Sequence, residues 1–208
     1  MLSKHILILT VALLALGAKA SDSAFKRISL PHGISLEIPA HWTVLSQATR
    51  SNLKALEEAT TEAAGIRDPG RKKASLLALN STPAPTGAMV RVSVSSPPDF
   101  TLDELKNITR AELNEMAGEM ARLFRQLEAS GGPKVLQTFP ARSEMLGSRL
   151  ALVIPYRRAS QFGPSPWYVT QYKVPFQDHL VEITLSYRES DAPIWRPILE
   201  KVRQSTRF

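Results

Sequence analysis

Residues 88–104 read Ala88-Met-Val-Arg-Val-Ser-Val-Ser95, then Ser96-Pro97-Pro98-Asp99-Phe100, then Thr101-Leu-Asp-Glu104. The first eight residues alternate. Val90, Val92 and Val94 share one side and Arg91 and Ser93 the other, the period-2 pattern of a strand with one face on a core. Pro97-Pro98 stops it, because proline has no N–H to give a ladder. Thr101 and Glu104 then have the spacing of a capping box, in which the hydroxyl accepts a first-turn N–H and the carboxylate reaches back. Beyond it the apolar period becomes helical: Leu105, Ile108, Met116, Met120, Leu123, Phe124 and Leu127, up to Gly131-Gly132-Pro133. The spacing predicts one helix of about 28 residues, roughly 40 Å long and able to cross a whole sheet.

Working back from this unit, Phe25 to Leu30 and Ile34 to Ile38 read as two strands around a Pro31-His32-Gly33 turn, with Pro39 closing the second. Ser51 to Ala64 has helical spacing but a thin apolar stripe, suited to lying on a sheet, and Gly65 is placed to end it. Arg67-Asp-Pro-Gly-Arg-Lys-Lys73 reads as a basic turn, Ser75 to Asn80 as a short strand, and Ser81 to Gly87 as a loop. Working forward, Lys134 to Pro140, Glu144 to Tyr156, Tyr168 to Phe176 and Leu180 to Tyr187 read as strands. The last two are joined at Gln177-Asp178-His179, and the Ala159 to Pro166 loop precedes them. Asp191 can cap a final helix with Ile194, Trp195, Ile198, Leu199 and Val202 as its stripe and Pro197 as an awkward interior residue. Consecutive strands after a long helix predict an α+β domain, an antiparallel β-sheet with helices packed on it.

Composition sets the class. The 208 residues are 43% hydrophobic and 22% charged, which is globular and not disordered. Cysteine is absent, excluding disulfide frameworks, thiolate metal sites, thiol nucleophiles and a lipid anchor on an N-terminal cysteine. Met1 to Ala20 has the form of an export signal. Lys4 and His5 precede the apolar run Ile6 to Leu16, and Ala18-Lys-Ala20 supplies small residues at a cleavage site. The run is too short for a spanning helix. The expected product is therefore a soluble periplasmic or secreted domain of residues 21–208, with no other segment apolar enough to span. The removed segment carries two lysines and no acid, so the net charge falls from +7 to +5. That mild excess favours anionic partners through steering and is too diffuse to argue for nucleic acid.

Chemistry-bearing residues are sparse. Three histidines remain after cleavage: His32 in a turn, His41 beside Trp42, and His179 at a hairpin tip after Asp178. If those loops met, His32, His41, Asp178 and His179 could hold a metal or serve acid–base chemistry; the plainer reading is surface histidines. No G-x-S-x-G elbow, phosphate loop or dinucleotide fingerprint occurs, so no catalytic residue and no cofactor is expected. Basic groups occur at Arg67, Arg71, Lys72 and Lys73, at Arg157 and Arg158, and at Arg196, Lys201, Arg203 and Arg207. The first set flanks a turn and could meet a phosphate, an anionic lipid or an acidic protein. Phe162 and Trp167 flank the Gly/Pro-rich loop and suit a binding edge, with a core plug as the alternative for Trp167. Trp42, Trp195, Met116 and Met120 read as core.

Several of these pieces together resemble the PsbP-like superfamily, which includes a photosystem II extrinsic protein and exported bacterial proteins of the DcrB type. They are Ile34-Ser-Leu-Glu-Ile-Pro-Ala-His-Trp42, a strand ending in Pro-x-x-Trp; Ala88 to Ser95 with the helix opened by Thr101-Leu-Asp-Glu104; and the late strands closed by a short helix ending near Ser205-Thr-Arg-Phe208. The resemblance implies an α/β/α sandwich around an antiparallel sheet. It also implies an accessory, adaptor or partner-binding role and carries over no catalytic residue. The expected function is a non-catalytic periplasmic binding protein, possessing an envelope protein partner and acting as an adaptor or immunity-like cap. The alternatives are a small envelope metal-binding protein or enzyme using His32, His41 and His179, and a binder of anionic lipid or cell wall.

Overall fold

The chain runs β1 (Phe25–Ser29), β2 (Ser35–Pro39), β3 (Thr43–Val44), α1 (Gln47–Ala63), β4 (Lys72–Asn80), β5 (Ala88–Ser96), α2 (Leu102–Asn107), α3 (Arg110–Ala129), β6 (Val135–Thr138), β7 (Arg142–Leu146), β8 (Arg149–Arg158), β9 (Trp167–Pro175), β10 (Leu180–Arg188) and α4 (Ala192–Ser205). This structure, a computed structural model, describes residues 25–66, 70–160 and 163–208. The export signal expected at 1–20, and with it Arg67 and Phe162, lies outside the described residues.

Every strand pairing is antiparallel. The main sheet has the order β3-β4-β5-β10-β9-β8-β6, with β7 also on β8, and β1 and β2 form a separate hairpin. The central register follows from the valine alternation. Val90, Val92 and Val94 face Leu185, Ile183 and Val181 across β5 and β10, all six buried. Slipping β5 by one residue would put Arg91 and Ser93 into that layer, so the register is strongly specified. The hairpin of β1 and β2 and helix α4 cover this face. Ile34, Leu36, Ile38, Leu199 and Val202 complete its core with Trp42, and Trp42 meets Trp195 edge to face at 5.8 Å. The other face carries α1, α2 and α3. There Leu105 of α2 packs on Leu152 and Ile154 of β8, with Ile108, Leu113, Met116 and Met120 around them. The result is the expected α+β sandwich of helices about an antiparallel sheet. Among the described residues no helix is long and apolar enough to cross a membrane.

Four expectations about elements are corrected. The long helix is two helices. Ile108 is extended at φ −61° and ψ 126°, and Thr109 opens a second capping box with Glu112, so α2 ends and α3 starts in a new direction. Glu144 to Tyr156 is a hairpin and not one strand: Gly147 takes φ 58°, the chain reverses at Gly147-Ser148, and Arg142–Leu146 pairs back on β8. The short strand before the proline loop begins at Lys72 instead of Ser75, because Lys72–Asn80 pairs along the full length of β5. In α4, Ile194 is solvent-exposed, and the stripe that packs on the core is Trp195, Ile198, Leu199 and Val202.

Candidate functional site

The basic set expected on a turn is mostly built into the sheet. Lys72 and Lys73 are strand residues of β4, a correction to the turn reading, and only Lys72 is exposed with no carboxylate partner among the described residues. Lys73 Nζ lies 2.7 Å from Glu57 and 3.7 Å from Glu182; Lys173 lies 3.3 Å from Asp99 and 3.9 Å from Glu182. Arg71 pairs with Asp99 and donates to Ser95 Oγ at 2.6 Å. These groups form a ladder of alternating charge across one sheet face. Burial alone would lower the Lys73 pKa, but Glu182 and Glu57 outweigh it and raise it. Of the two readings of Trp167, binding edge and core plug, burial favours the second: it is the first residue of β9 and is buried, with the Arg158 guanidinium 5.3 Å above its ring.

The histidine loops converge in part. The His32 and His179 ring centroids lie 4.6 Å apart, and His179 stacks on Phe176 at 4.6 Å and 8°. His179 Nδ1 and Asp178 Oδ1 are 2.7 Å apart, a hydrogen bond that lowers the Asp178 carboxyl pKa. Arg149 caps the far side of Phe176 at 4.5 Å. His41 is not part of this stack: it follows β2 while His32 precedes it, so the five residues of that strand, about 16 Å, hold them apart. Among the described residues no group of three or more His, Asp or Glu is placed to hold a metal ion.

A groove of about 680 Å³ lies between α4 and the sheet, lined by Tyr168, Thr170 and Tyr172 of β9, Leu185 and Tyr187 of β10, Arg142 of β7, and α4 from Arg196 to Arg203. Strand alternation puts Tyr168, Thr170 and Tyr172 on one face, and the register sets Tyr168 opposite Tyr187. Their rings stack at 5.6 Å, and Phe139 extends the row at 5.5 Å from Tyr168. None of the three tyrosine hydroxyls has a hydrogen-bond partner among the described residues. Burial, with the Glu144 charge, pushes the Tyr172 phenol up to about 12. Burial also raises Tyr187, against the pull of the Arg196 charge. Tyr172 and Tyr187 are therefore neutral donors at pH 7.

The cations of the groove are not equivalent. Arg203 donates to both Glu200 oxygens at 2.8 and 2.6 Å, which raises its pKa, and Arg142 donates to Glu144 at 2.9 Å. Glu200, the lone carboxylate of the lining, also accepts from Gln204 at 2.8 Å and so has little capacity left as a base. Arg196 is exposed and has no acceptor among the described residues. The arrangement offers aromatic faces, hydroxyl donors and one free guanidinium, which suits binding. Arg196 and Arg203 read in the sequence as members of one basic set, and Tyr168 and Tyr187 only as strand ends. The available signal was the spacing of Tyr168, Tyr172 and Tyr187 on adjacent strands, and it acquires meaning only when α4 is seen to leave Tyr168 and Tyr187 partly exposed beside the buried Tyr172.

No protein-family model matches the sequence, and neither does any curated protein. Solved structures do. The chain is similar to the solution structure of cyanobacterial PsbP, CyanoP, from Synechocystis sp. PCC 6803, at a TM-score of 0.53 and 12% identity over 93% of this chain and 98% of that one. It is also similar to LpqN of Mycobacterium tuberculosis, described as involved in cell envelope biogenesis, at a TM-score of 0.46 and 15% identity over 88% and 89% of the two chains. The layered antiparallel sheet, the four α-helices among the described residues and the near-complete overlap with CyanoP together show that this chain has the PsbP-like fold that its strand and helix order resembles.

Proposed function

We propose that this protein is an exported, non-catalytic binding protein of the cell envelope that takes an acidic segment of a protein partner in the groove beneath α4. The observation that carries this reading is the free Arg196 guanidinium beside three unbonded tyrosine hydroxyls in an open trough. Tyrosine and arginine supply large contact area with directed donors, and they dominate the energetics of protein interfaces. The net charge of +5 after loss of residues 1–20 steers acidic partners toward it, and the Met1 to Ala20 pattern supports an envelope location. The fold itself names no partner.

Tagged protein is incubated with envelope extract, and what stays bound is identified by mass spectrometry. One stoichiometric protein is expected on the wild type and lost on Arg196→Glu and on Tyr187→Ala, both changes on the groove surface. Equal recovery by wild type and both variants would remove the groove from the binding reaction. Absence of any stoichiometric protein would overturn the protein-partner reading.

A further inference from the structure

The sheet face opposite the tyrosine groove has a second cavity, of about 660 Å³, lined by Leu53 of α1, by Pro85 and Thr86 of the 81–87 loop, and by Gly163, Pro164 and Ser165 before β9. Its apolar wall is Leu53, Pro85, Met89, Pro164 and Trp167, and two guanidinium groups line it as well: Arg188, paired with Asp191 at 2.8 Å, and Arg158. Arg158 lies over the Trp167 ring and makes one long hydrogen bond, 3.3 Å, to its neighbour's carbonyl at Ala159. It has no carboxylate partner among the described residues. Arg91 sits beside it, half-buried, held by the Val90 carbonyl at 3.0 Å, Asn80 Oδ1 at 2.8 Å and Met89 Sδ at 3.3 Å, again with no carboxylate. Asn80 and Met89, which grip Arg91, themselves line the cavity.

This pair contrasts with the rest of the same face. Lys73, Lys173 and Arg71 each meet Glu57, Glu182 or Asp99 in the charge ladder. Arg91 and Arg158 repel one another without an anion between them. Burial, and then the Arg158 charge, bring the Arg91 pKa down to about 10, and burial lowers Arg158. Two partly desolvated cations without a counter-charge are costly, and an anion arriving from outside would relieve that cost. A guanidinium presents a fork of donors matched to a carboxylate. The apolar wall beside it suits a hydrocarbon chain, and the volume is in the range of small-molecule sites.

We propose that this cavity binds a single-chain amphiphile with a carboxylate head, a fatty acid, with the carboxylate on Arg158 toward Arg91 and the chain along Met89, Leu53 and Trp167. The site is independent of the groove beneath α4. It is tested by calorimetric titration of the purified protein with decanoate, 1-decanol, acetate and decyl phosphate. Decanoate is expected to bind saturably at one site. Decanol, lacking the charge, and acetate, lacking the chain, should each bind at least about tenfold more weakly. Arg158→Gln should weaken decanoate about tenfold or more. Leu53→Glu, a change at an exposed helix position, should do the same by placing a carboxylate at the rim, and it serves if the first variant fails to fold. Arg196→Glu should leave decanoate binding unchanged, which separates this site from the partner groove. Absence of saturable decanoate binding, equal binding of decanol, or wild-type affinity in the folded variants would overturn the proposal. Tenfold tighter binding of decyl phosphate than of decanoate would overturn the carboxylate assignment.

Discussion

Gly147 turns the β7–β8 hairpin at φ 58°, and a Cβ built on it would sit 2.6 Å from the Thr206 carbonyl oxygen. Both facts weigh against any side chain there, the first through backbone strain and the second through overlap with a backbone atom that cannot rotate away. Gly147→Ala should lower the unfolding free energy by about 1–3 kcal/mol, measured by urea denaturation. A loss below about 0.5 kcal/mol would mean that the segment after α4 yields without cost. Gly87 has a different constraint. Its φ is ordinary, but a Cβ would lie 2.9 Å from Trp195 Cε2, and Trp195 is packed on Trp42. Gly87→Ala should therefore displace the Trp195 ring and change tryptophan fluorescence along with stability; an unchanged spectrum would show that the ring was not held there.

The junction between α2 and α3 shows how a cap sets an element's boundary. Thr109 accepts from the Glu112 N–H at 3.2 Å, and Glu112 Oε2 accepts from the Thr109 N–H at 2.7 Å. Thr101 and Glu104 repeat the arrangement at the start of α2. A sequence reading that follows only the apolar period runs through Thr109, since Ile108, Leu113, Met116 and Met120 continue the stripe. Thr109→Ala should cost about 1 kcal/mol in urea denaturation. The hydrogen bonds from the threonine N–H groups, and then from their hydroxyls, lower the pKa of Glu104 and Glu112. A carboxylate depressed in the folded state stabilises it fully above the unfolded value of about 4.3, and that contribution is lost as pH falls through the lower folded value. NMR titration should place both carboxyls below about 4.3, and in Thr109→Ala the Glu112 value should return toward it.

Across the whole molecule, the two sheet faces are stabilised differently. The face under α4 is apolar, and Leu199 and Val202 are buried there at 4% and 0% exposure. Leu199→Ala should cost about 2–5 kcal/mol through the cavity it leaves. It should also loosen the tyrosine groove, since Leu199 lines it. The opposite face uses the charge ladder, in which Glu182 stands between Lys73 and Lys173. Glu182→Gln should destabilise by about 1–2 kcal/mol, since it leaves two partly covered cations sharing fewer anions. A raised folded pKa at Lys73 means its contribution is present below the unfolded value of about 10.4 and is lost as pH climbs through the folded one. The wild type should lose stability in that alkaline window more steeply than Glu182→Gln, as followed by thermal melts across pH 9 to 12.

What the sequence by itself determined was local and periodic. The valine alternation in β5, the hairpin of β9 and β10, the threonine cap of α2 and the stripe of α4 are all short-range patterns in which backbone geometry dictates side-chain placement. From them the α+β sheet-and-helix architecture was legible, and so was its likeness to the PsbP-like order. The break at Thr109 and the reversal at Gly147 were written in the sequence as a capping pair and a glycine, but the continuing apolar run masked them. Only the tertiary structure decided which charged and aromatic residues are spent on the fold and which are left over. Lys73 and Arg71 looked free in sequence and are taken up by partners 16 or more residues away. Arg196 and the hydroxyls of Tyr168, Tyr172 and Tyr187 are left without a hydrogen-bond partner among the described residues, and Arg158 is left without a carboxylate. Pairing across a sheet depends on strands far apart in the chain, so whether a charge finds its counter-ion is a property of the register and layers, which no local pattern encodes.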